Sequence, residues 1–292
     1  MRIAILSFTL LLAGPPVAAQ MPSTDIFIAD LRLDDRGIGI GTPRNATMRP
    51  GYDNQPWFLP DGRGFLYNAD VGGQTEIFRF DLGTWTATRL TQTPENEFSP
   101  SLTPDGGEML VVRWPADMST GALWRYSTDG RPIAEHPASV ERVGYYGALA
   151  DGGMAFFVND SVRTFEVVDV QGGEGTVLTG LAGSPPQQIP GEAAVSFMMP
   201  GSDGRAWIHR MDLASGVITP IAPAVGESLS YAWLPGNVLL MPSGNALYAL
   251  DPAHEEEWRD VARFDDPDLA NIVRVAASAA GDRIALVAEQ VQ

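Results

Sequence analysis

The feature that most constrains this sequence is an eleven-residue motif that occurs twice. Residues 57–67 read WFLPDGRGFLY and residues 101–111 read SLTPDGGEMLV, so the two Pro-Asp-Gly triplets lie 44 residues apart. Proline fixes φ, aspartate tolerates turn conformations and glycine takes the left-handed position, so each copy predicts a tight hairpin turn. A period near 44 residues, with several strands in each repeat, is typical of the blades of a β-propeller.

Six short apolar runs predict the second strands of six blades. They lie at residues 65–67, 109–112, 155–158, 195–198, 238–241 and 284–287, and turn residues precede each one. An unbroken apolar run is the pattern of a strand that is buried on both faces. Sheets that pack face to face around an axis bury their strands in this way, which favours a propeller again.

A second pattern, a short strand that is rich in aromatic residues and usually ends in aspartate, also occurs six times. Its copies lie at residues 26–31, 77–82, 123–127, 165–169, 207–213 and 247–251. The first copy has no apolar run before it, and the last apolar run has no aromatic strand after it. An open five-bladed fragment would leave both unpaired, whereas one shared blade joins them and removes two exposed sheet edges. We therefore predict an all-β, six-bladed β-propeller with four-stranded antiparallel blades, one of them shared between the two ends of the chain.

The first 19 residues have the composition of a secretory signal peptide. A short basic start is followed by a mostly apolar run at residues 3–12 and by small residues at 17–19, so we expect cleavage before Gln20. No other stretch approaches the ~18 apolar residues that a transmembrane helix needs. We expect a single exported domain over residues 20–292, periplasmic or secreted and not inserted in a membrane.

The motif WFLPDGRGFLY, followed by IFRFDL and then by a TRLT strand, resembles the WD40-like (PD40) repeat of TolB-like propellers. The resemblance is strongest over residues 52–129, and the later blades share the period more than the residues. It implies a periplasmic protein whose propeller is a binding platform for other envelope proteins. TolB itself has an α/β domain before its propeller, whereas the first strand predicted here begins close to the cleavage site. The lipoprotein partner of TolB is therefore not carried over.

Composition argues against several classes of partner and site. The net charge is −17, and all 19 basic residues are arginine. Nucleic acids and anionic membrane surfaces require basic patches, so we expect binding to neither. The absence of cysteine excludes disulfides and thiolate metal sites, and the stability of the fold must come from its core.

The sequence offers little support for catalysis by a serine or a histidine. The same repeat occurs in propellers of prolyl-oligopeptidase-type enzymes, which need a G-x-S-x-G elbow in a separate hydrolase domain. This chain has no G-x-S-x-G motif. The three histidines, His136, His209 and His254, are predicted on outer strands, third strands or outer loops, away from the channel. A histidine-based mechanism is therefore disfavoured.

One enzymatic alternative stays open, a propeller hydrolase or lactonase with a divalent metal ion in the central channel. Asp53, Asn54 and Glu97 are its candidate ligands, because carboxylate and amide oxygens suit hard cations. The acidic runs at 255–257 and 265–268 read as solvated loops. Apart from this alternative, we predict no metal and no other cofactor.

The remaining candidate site is the mouth of the channel, where the loops that lead into the innermost strands meet. Tyrosine on an exposed loop supplies a rigid contact surface with a polar tip, although these tyrosines would also serve as caps on the inner strands. We predict a non-enzymatic, monomeric propeller that binds an envelope protein or peptide at this mouth. The predicted binding residues are Tyr52, Asp53, Asn54, Glu97, Tyr146, Tyr231 and Arg274, with Phe98, Tyr145 and Gln188 beside them.

Overall fold

The computed structural model describes residues 21–34, 37–149, 151–160, 164–168, 176–179 and 184–290. These residues form six antiparallel sheets, and the edge strands at the centre of neighbouring sheets contact one another around a channel. The predicted six-bladed propeller is confirmed. The predicted signal peptide and Gln20 lie outside the described residues. No helix in the described part of the chain has both the length and the apolar character needed to span a bilayer.

The strands of each blade are numbered outward from the channel. Blade 1 contains Asp53–Phe58, Gly64–Asp70, Thr75–Asp81 and Thr86–Arg89. Blade 2 contains Asn96–Leu102, Glu108–Trp114, Ala122–Ser127 and Pro132–Glu135. Blade 3 contains Val143–Ala148, Met154–Val158, Thr164–Val168 and Thr176–Thr179. Blade 4 contains Gln187–Gln188, Ala194–Pro200, Ala206–Asp212 and Ile218–Pro223. Blade 5 contains Ala232–Leu234, Val238–Ser243, Ala246–Leu250 and Arg259–Arg263, and the 3₁₀ helix Pro267–Leu269 follows it.

The sixth blade, here called the closing blade, takes strands from both ends of the chain. Its first two strands are Ile272–Ala277 and Arg283–Glu289, and its third is Thr24–Asp34. Seven residue pairs join the second strand to the third, from Thr24↔Glu289 to Asp30↔Arg283. The prediction that the two unpaired strands share one blade is therefore confirmed.

The outer edge of the closing blade differs from the other five. Two short strands, Gly37–Ile40 and Arg44–Asn45, both pair with the long strand Thr24–Asp34. The break between them contains Pro43, which has no N–H to donate to a sheet. The fourth strand is thus divided in two, and the closing blade has five strands.

The Pro-Asp-Gly triplets form the predicted turns between first and second strands. Gly62 and Gly106 have φ values of 67° and 71°, in the left-handed region that glycine adopts without a steric cost. In both turns the glycine N–H donates to the carbonyl three residues earlier, at 3.0 Å in blade 1 and 2.8 Å in blade 2. The two copies of the motif have one local structure, and each directs its second strand back alongside the first.

The core lies between the blades rather than in one central cluster. Between the closing blade and blade 1, for example, Ile26, Ile28 and Val287 pack against Phe65 and Tyr67. All five are buried, with at most 6% of each side chain exposed. Since burying one large apolar side chain contributes roughly 1.5–3 kcal/mol, each interface between blades contributes substantially to the free energy of unfolding.

Candidate functional site

A cavity of about 520 Å³ occupies the central channel. The first strand of every blade contributes to its wall, and its volume lies within the ~300–1,000 Å³ typical of ligand pockets. Aromatic rings, prolines and amides dominate the lining, which includes Gln55, Pro56, Trp57, Ser99, Pro100, Tyr145, Tyr146, Pro185, Pro186, Gln187, Gln188, Tyr231, Trp233 and Arg274.

The cavity opens on the face of the ring that carries the turns between first and second strands. Pro60, Pro104 and Ala279 lie in or beside those turns, line the cavity and are exposed to solvent. The first residues of the inner strands, such as Asp53 and Glu97, do not line it. This cavity therefore opens at the end of the channel opposite to the mouth that the sequence led us to expect.

The other end of the cavity is bounded by four side chains, Tyr52, Asn54, Tyr145 and Arg274, here called the channel cluster. Arg274 Nε donates to Asn54 Oδ1 at 2.8 Å, and Arg274 Nη2 donates to Tyr145 Oη at 3.1 Å. Arg274 belongs to the closing blade and Tyr145 to blade 3, which is opposite in a ring of six. The contact therefore crosses the channel and narrows it.

β-Bulges direct the two central members of the channel cluster inward. The pairing register shifts by one residue between Ile272 and Arg274 in the closing blade, and between Val143 and Tyr145 in blade 3. A bulge bends its strand and changes the direction of the next side chain. Arg274 and Tyr145 thus hold equivalent positions in opposite blades, which explains how they meet.

Arg274 has only neutral partners. Its guanidinium carbon also lies 5.4 Å from the centroid of the Tyr145 ring. Among the described residues it forms no ion pair with a carboxylate. Burial raises the pKa of Tyr52, and the neighbouring Tyr145 raises it further, so the phenol beside the guanidinium stays neutral. The channel cluster therefore carries a net positive charge.

Tyr146 and Tyr231 line the cavity, but their hydroxyl groups are already engaged. Tyr146 Oη lies 2.7 Å from Ser101 Oγ and donates to a backbone carbonyl of the neighbouring blade, and Tyr231 Oη donates to Ser196 Oγ at 2.9 Å. Only 8% of Tyr146 and 2% of Tyr231 is exposed. These two residues join blades together as well as forming the cavity wall.

Asp53, by contrast, is buried between the closing blade and blade 1. Its Oδ1 accepts a hydrogen bond from Arg49 Nη2 at 2.5 Å, and its backbone carbonyl accepts from Thr24 Oγ1 at 2.8 Å. Burial raises the pKa of Asp53 to about 7, with the Arg49 guanidinium acting in the opposite direction. Asp53 therefore holds two blades together and is withdrawn from the channel.

Glu97 occupies the equivalent place between blades 1 and 2. Tyr126 Oη donates to Glu97 Oε1 at 2.7 Å, and the backbone N–H of Glu97 donates to Thr75 Oγ1 at 3.2 Å. Burial raises the pKa of Glu97 as well. The candidate metal ligands Asp53, Asn54 and Glu97 thus face three different sets of partners. Within the described ranges, no three histidine, aspartate or glutamate side chains are grouped closely enough to hold a metal ion.

Several cavity residues were not predicted from the sequence. Gln55 and Ser99 lie 44 residues apart, both have positive φ values (56° and 51°), and Ser99 N donates to Gln55 Oε1 at 2.6 Å. The repeat period was the signal that relates these two positions. Trp57 and Trp233 also line the cavity, whereas Phe98 packs into the core of blades 2 and 3.

The face on which the cavity opens is acidic. Turns between first and second strands and turns between third and fourth strands lie at the same edge of an antiparallel blade, and most of them carry an aspartate. These residues, exposed or half-exposed, are Asp61, Asp81, Asp105, Asp129, Asp151, Asp212, Asp251 and Asp282. Arg131, Arg210 and Arg283 pair with three of them and His254 with a fourth, but the whole chain has a net charge of −17. A ring of negative charge therefore surrounds the opening of a cavity whose far end is positive.

Comparison with known proteins supports the fold more strongly than any close kinship. No family model matches the chain. This chain is 27% identical over 81 residues to an uncharacterised protein from Agrobacterium fabrum. It is 26% identical over 88 residues to the Tol-Pal system protein TolB from Francisella tularensis. These matches cover 28% and 30% of this chain, and 28% and 19% of those proteins.

Solved structures resemble the chain over nearly all of its length. A putative TolB from Agrobacterium tumefaciens superposes with a TM-score of 0.68 at 14% identity, covering 93% of this chain and 100% of that one. TolB from Acinetobacter baumannii gives a TM-score of 0.56 at 14% identity, covering 91% of this chain and 64% of that one. The chain therefore has the fold of a TolB-like six-bladed β-propeller.

Proposed function

We propose that this protein is an exported binding platform of the bacterial envelope, which holds a segment of a partner protein in its channel cavity. The observation that carries the proposal is the cavity itself, because its wall is made of rigid aromatic, proline and amide groups. Recognition sites characteristically combine a mostly apolar lining with a few convergent polar groups. The proposal includes a signal peptide at residues 1–19 and a single monomeric domain at 20–292.

The shape and lining of the cavity suit an extended peptide segment. Trp57, Tyr145 and Trp233 present large rings that lose little conformational entropy when they form contacts. Gln55 and Gln187 carry amides in the wall, although each already bonds to a neighbouring blade, at 2.6 Å and 2.8 Å respectively. A segment that enters along the channel axis would contact the inner strands of all six blades at once.

The charge of the open face supports a partner that is basic around the inserted segment. Complementary charge speeds encounter and excludes wrong partners more than it raises affinity. The same negative surface repels nucleic acid, so we propose no role in binding it. The known partners of TolB are not transferred to this chain, because the curated relatives match only a small part of it.

The proposal is tested by affinity capture from bacterial envelope extract, using the mature protein and two cavity variants, Trp57→Ala and Tyr145→Ala. Truncating a central aromatic anchor typically costs about 2 kcal/mol, roughly thirty-fold in affinity, so both variants should lose the captured partner. Trp207→Ala is the matched control, since Trp207 lies on the third strand of blade 4 and outside the cavity. Thermal melting of each variant verifies that it is folded. Full capture by both cavity variants would place the binding surface elsewhere on the ring.

A further inference from the structure

Arg274 is the most unusual group in the cavity, because its hydrogen-bonding capacity is largely unused. A guanidinium carries five N–H donors. One of them reaches Asn54 Oδ1 and a second reaches Tyr145 Oη. The other three have no acceptor in the described part of the chain, and Arg274 lines the cavity. The free donors therefore lie at the narrowed end of the cavity, opposite to its opening.

The cation is also electrically uncompensated. Arg274 is half-buried. A charge that is withdrawn from water is costly unless it is paired, and arginines in such places are usually found with a carboxylate. Thirty-six acidic residues are present in this chain, yet none of those described forms an ion pair with Arg274. Asn54 and Tyr145 fix the orientation of the guanidinium without neutralising it. This arrangement keeps a positioned, planar donor pair ready for an anion.

We propose that Arg274 binds the C-terminal carboxylate of the peptide segment that enters the cavity. This inference rests on the proposed function and names the end of the partner that is recognised. The guanidinium fork matches the two oxygens of a carboxylate, which gives short, charge-assisted and directional hydrogen bonds. A chain terminus suits the geometry because the contact between Arg274 and Tyr145 narrows the channel at this end, which favours a segment that ends at the guanidinium over one that continues past it.

The charge of the surrounding face adds a second requirement. The carboxylate has to pass a ring of aspartates to reach Arg274, so an otherwise acidic segment would be repelled as it approached. The residues that precede the terminus should therefore be neutral or basic where they cross the rim. The ligand class is a neutral-to-basic polypeptide tail with a free carboxyl group.

The test uses randomised hexapeptides immobilised through their amino ends, in one library with free carboxylates and in another with C-terminal amides. The mature protein should be retained by the free-acid library and bind the amidated one about thirty-fold more weakly or worse, since breaking a buried charged pair costs about 2 kcal/mol or more. Arg274→Gln should abolish the difference between the libraries, and Arg274→Lys should restore part of it. Arg131→Gln is the control, because it also removes one positive charge, but from an exposed turn on the face where the cavity opens.

The comparison of libraries on the unaltered protein keeps the inference testable even if Arg274→Gln fails to fold. Equal retention of the free-acid and amidated peptides would overturn it. Retention of neither library, by a protein that still captures an envelope partner through Trp57 and Tyr145, would overturn the carboxylate inference and leave the binding platform standing. Capture of the envelope partner that Trp57→Ala and Tyr145→Ala leave unchanged would overturn the cavity as the binding site, and the carboxylate inference with it.

Discussion

At the scale of the residue, the buried carboxylate of Asp53 makes stability depend on pH. An unfolded aspartate has a pKa near 3.9, whereas burial raises that of Asp53 to about 7 in the folded protein. Between these values the folded state holds a proton that the unfolded state has lost. The contribution of Asp53 to stability is therefore complete below pH ~4 and declines as the pH rises through about 7. Glu97, whose pKa is raised by the same cause, acts in the same direction.

Asp53→Asn should remove most of this dependence. The carboxamide keeps the size of the side chain and cannot ionise, so the stability of the variant relative to the wild type should improve between pH 4.5 and pH 8. Between these two pH values the change corresponds to roughly 3 kcal/mol of unfolding free energy, from about 1.4 kcal/mol for each pKa unit. Urea denaturation at both pH values measures it, with Glu135→Gln in the exposed outer strand of blade 2 as the control. Parallel pH profiles for Asp53→Asn and wild type would contradict the assignment.

Gly147 is a second residue whose environment makes a definite prediction. A Cβ atom at this position would lie 2.4 Å from the carbonyl oxygen of Pro186, in the first segment of the next blade. No rotamer change relieves a clash with backbone, so Gly147→Ala should force blades 3 and 4 apart and cost about 1–3 kcal/mol, as overpacking typically does.

Gly107→Ala is the matched control for that experiment, because its Cβ would meet only the flexible Asp105 carboxylate, 3.4 Å away. Melting temperatures of the two variants decide the comparison. If Gly147→Ala has the same melting temperature as Gly107→Ala, then the inner strands of blades 3 and 4 are packed less tightly than the structure shows.

At the scale of the element, the closing blade carries the prediction with the largest effect. Deleting residues 25–31 or residues 284–292 removes a strand whose apolar side chains are buried on both faces, including Ile26 and Leu286. Each large side chain contributes roughly 1.5–3 kcal/mol of burial, which for a whole strand is comparable with the ~5–15 kcal/mol stability of a domain. Size-exclusion chromatography should show both truncated proteins aggregated. A monomeric truncation with unchanged melting would refute the role of the shared blade.

The strands differ in how clearly the sequence predicts them, and the difference follows from how each is buried. Second strands are buried on both faces, so their apolar runs identify them directly, whereas third strands are identified by aromatic residues and a final aspartate. First strands lack such a run: the one in blade 1 reads DNQPWF with a proline inside it, the one in blade 4 has only two residues, and four of the six carry a bulge. A bulge exchanges the faces of a strand, and for this reason Asp53 and Glu97 could not be placed between blades from their order alone. Arg274 and Tyr145 are in contact because their blades lie on opposite sides of the ring. The sequence does not show which blades face each other, and only the closed ring does.

At the scale of the whole molecule, the acidic face predicts how association responds to salt. The on-rate for a basic partner should fall by on the order of ten-fold between low salt and 0.5 M salt, because screening shortens the reach of the surface potential. The dissociation rate should change little, since the contacts inside the cavity are short-ranged. Replacing Asp61, Asp105 and Asp151 together by asparagine should flatten the salt dependence of the on-rate. An on-rate that is equally salt-dependent in this variant would assign the steering to another surface.

The shared blade also sets an order of events in time. A chain is made from its amino end, so the strand Thr24–Asp34 exists long before its neighbour Arg283–Glu289. One edge of this strand can pair at once with Gly37–Ile40 and Arg44–Asn45, but the other edge stays unpaired until most of the molecule has been made. Contacts so distant in sequence form slowly. Gln290 N donates to the carbonyl of Ser23 at 2.9 Å, so the two ends could be joined and the chain reopened between blades 1 and 2. In such a permuted protein every blade would consist of residues that are close in sequence, so the protein should fold faster. No blade would then contain strands from both ends of the chain, so no shared blade would hold the ring closed. The order of strands in this chain therefore delays closure of the ring during folding, and it also makes the closed ring slow to open.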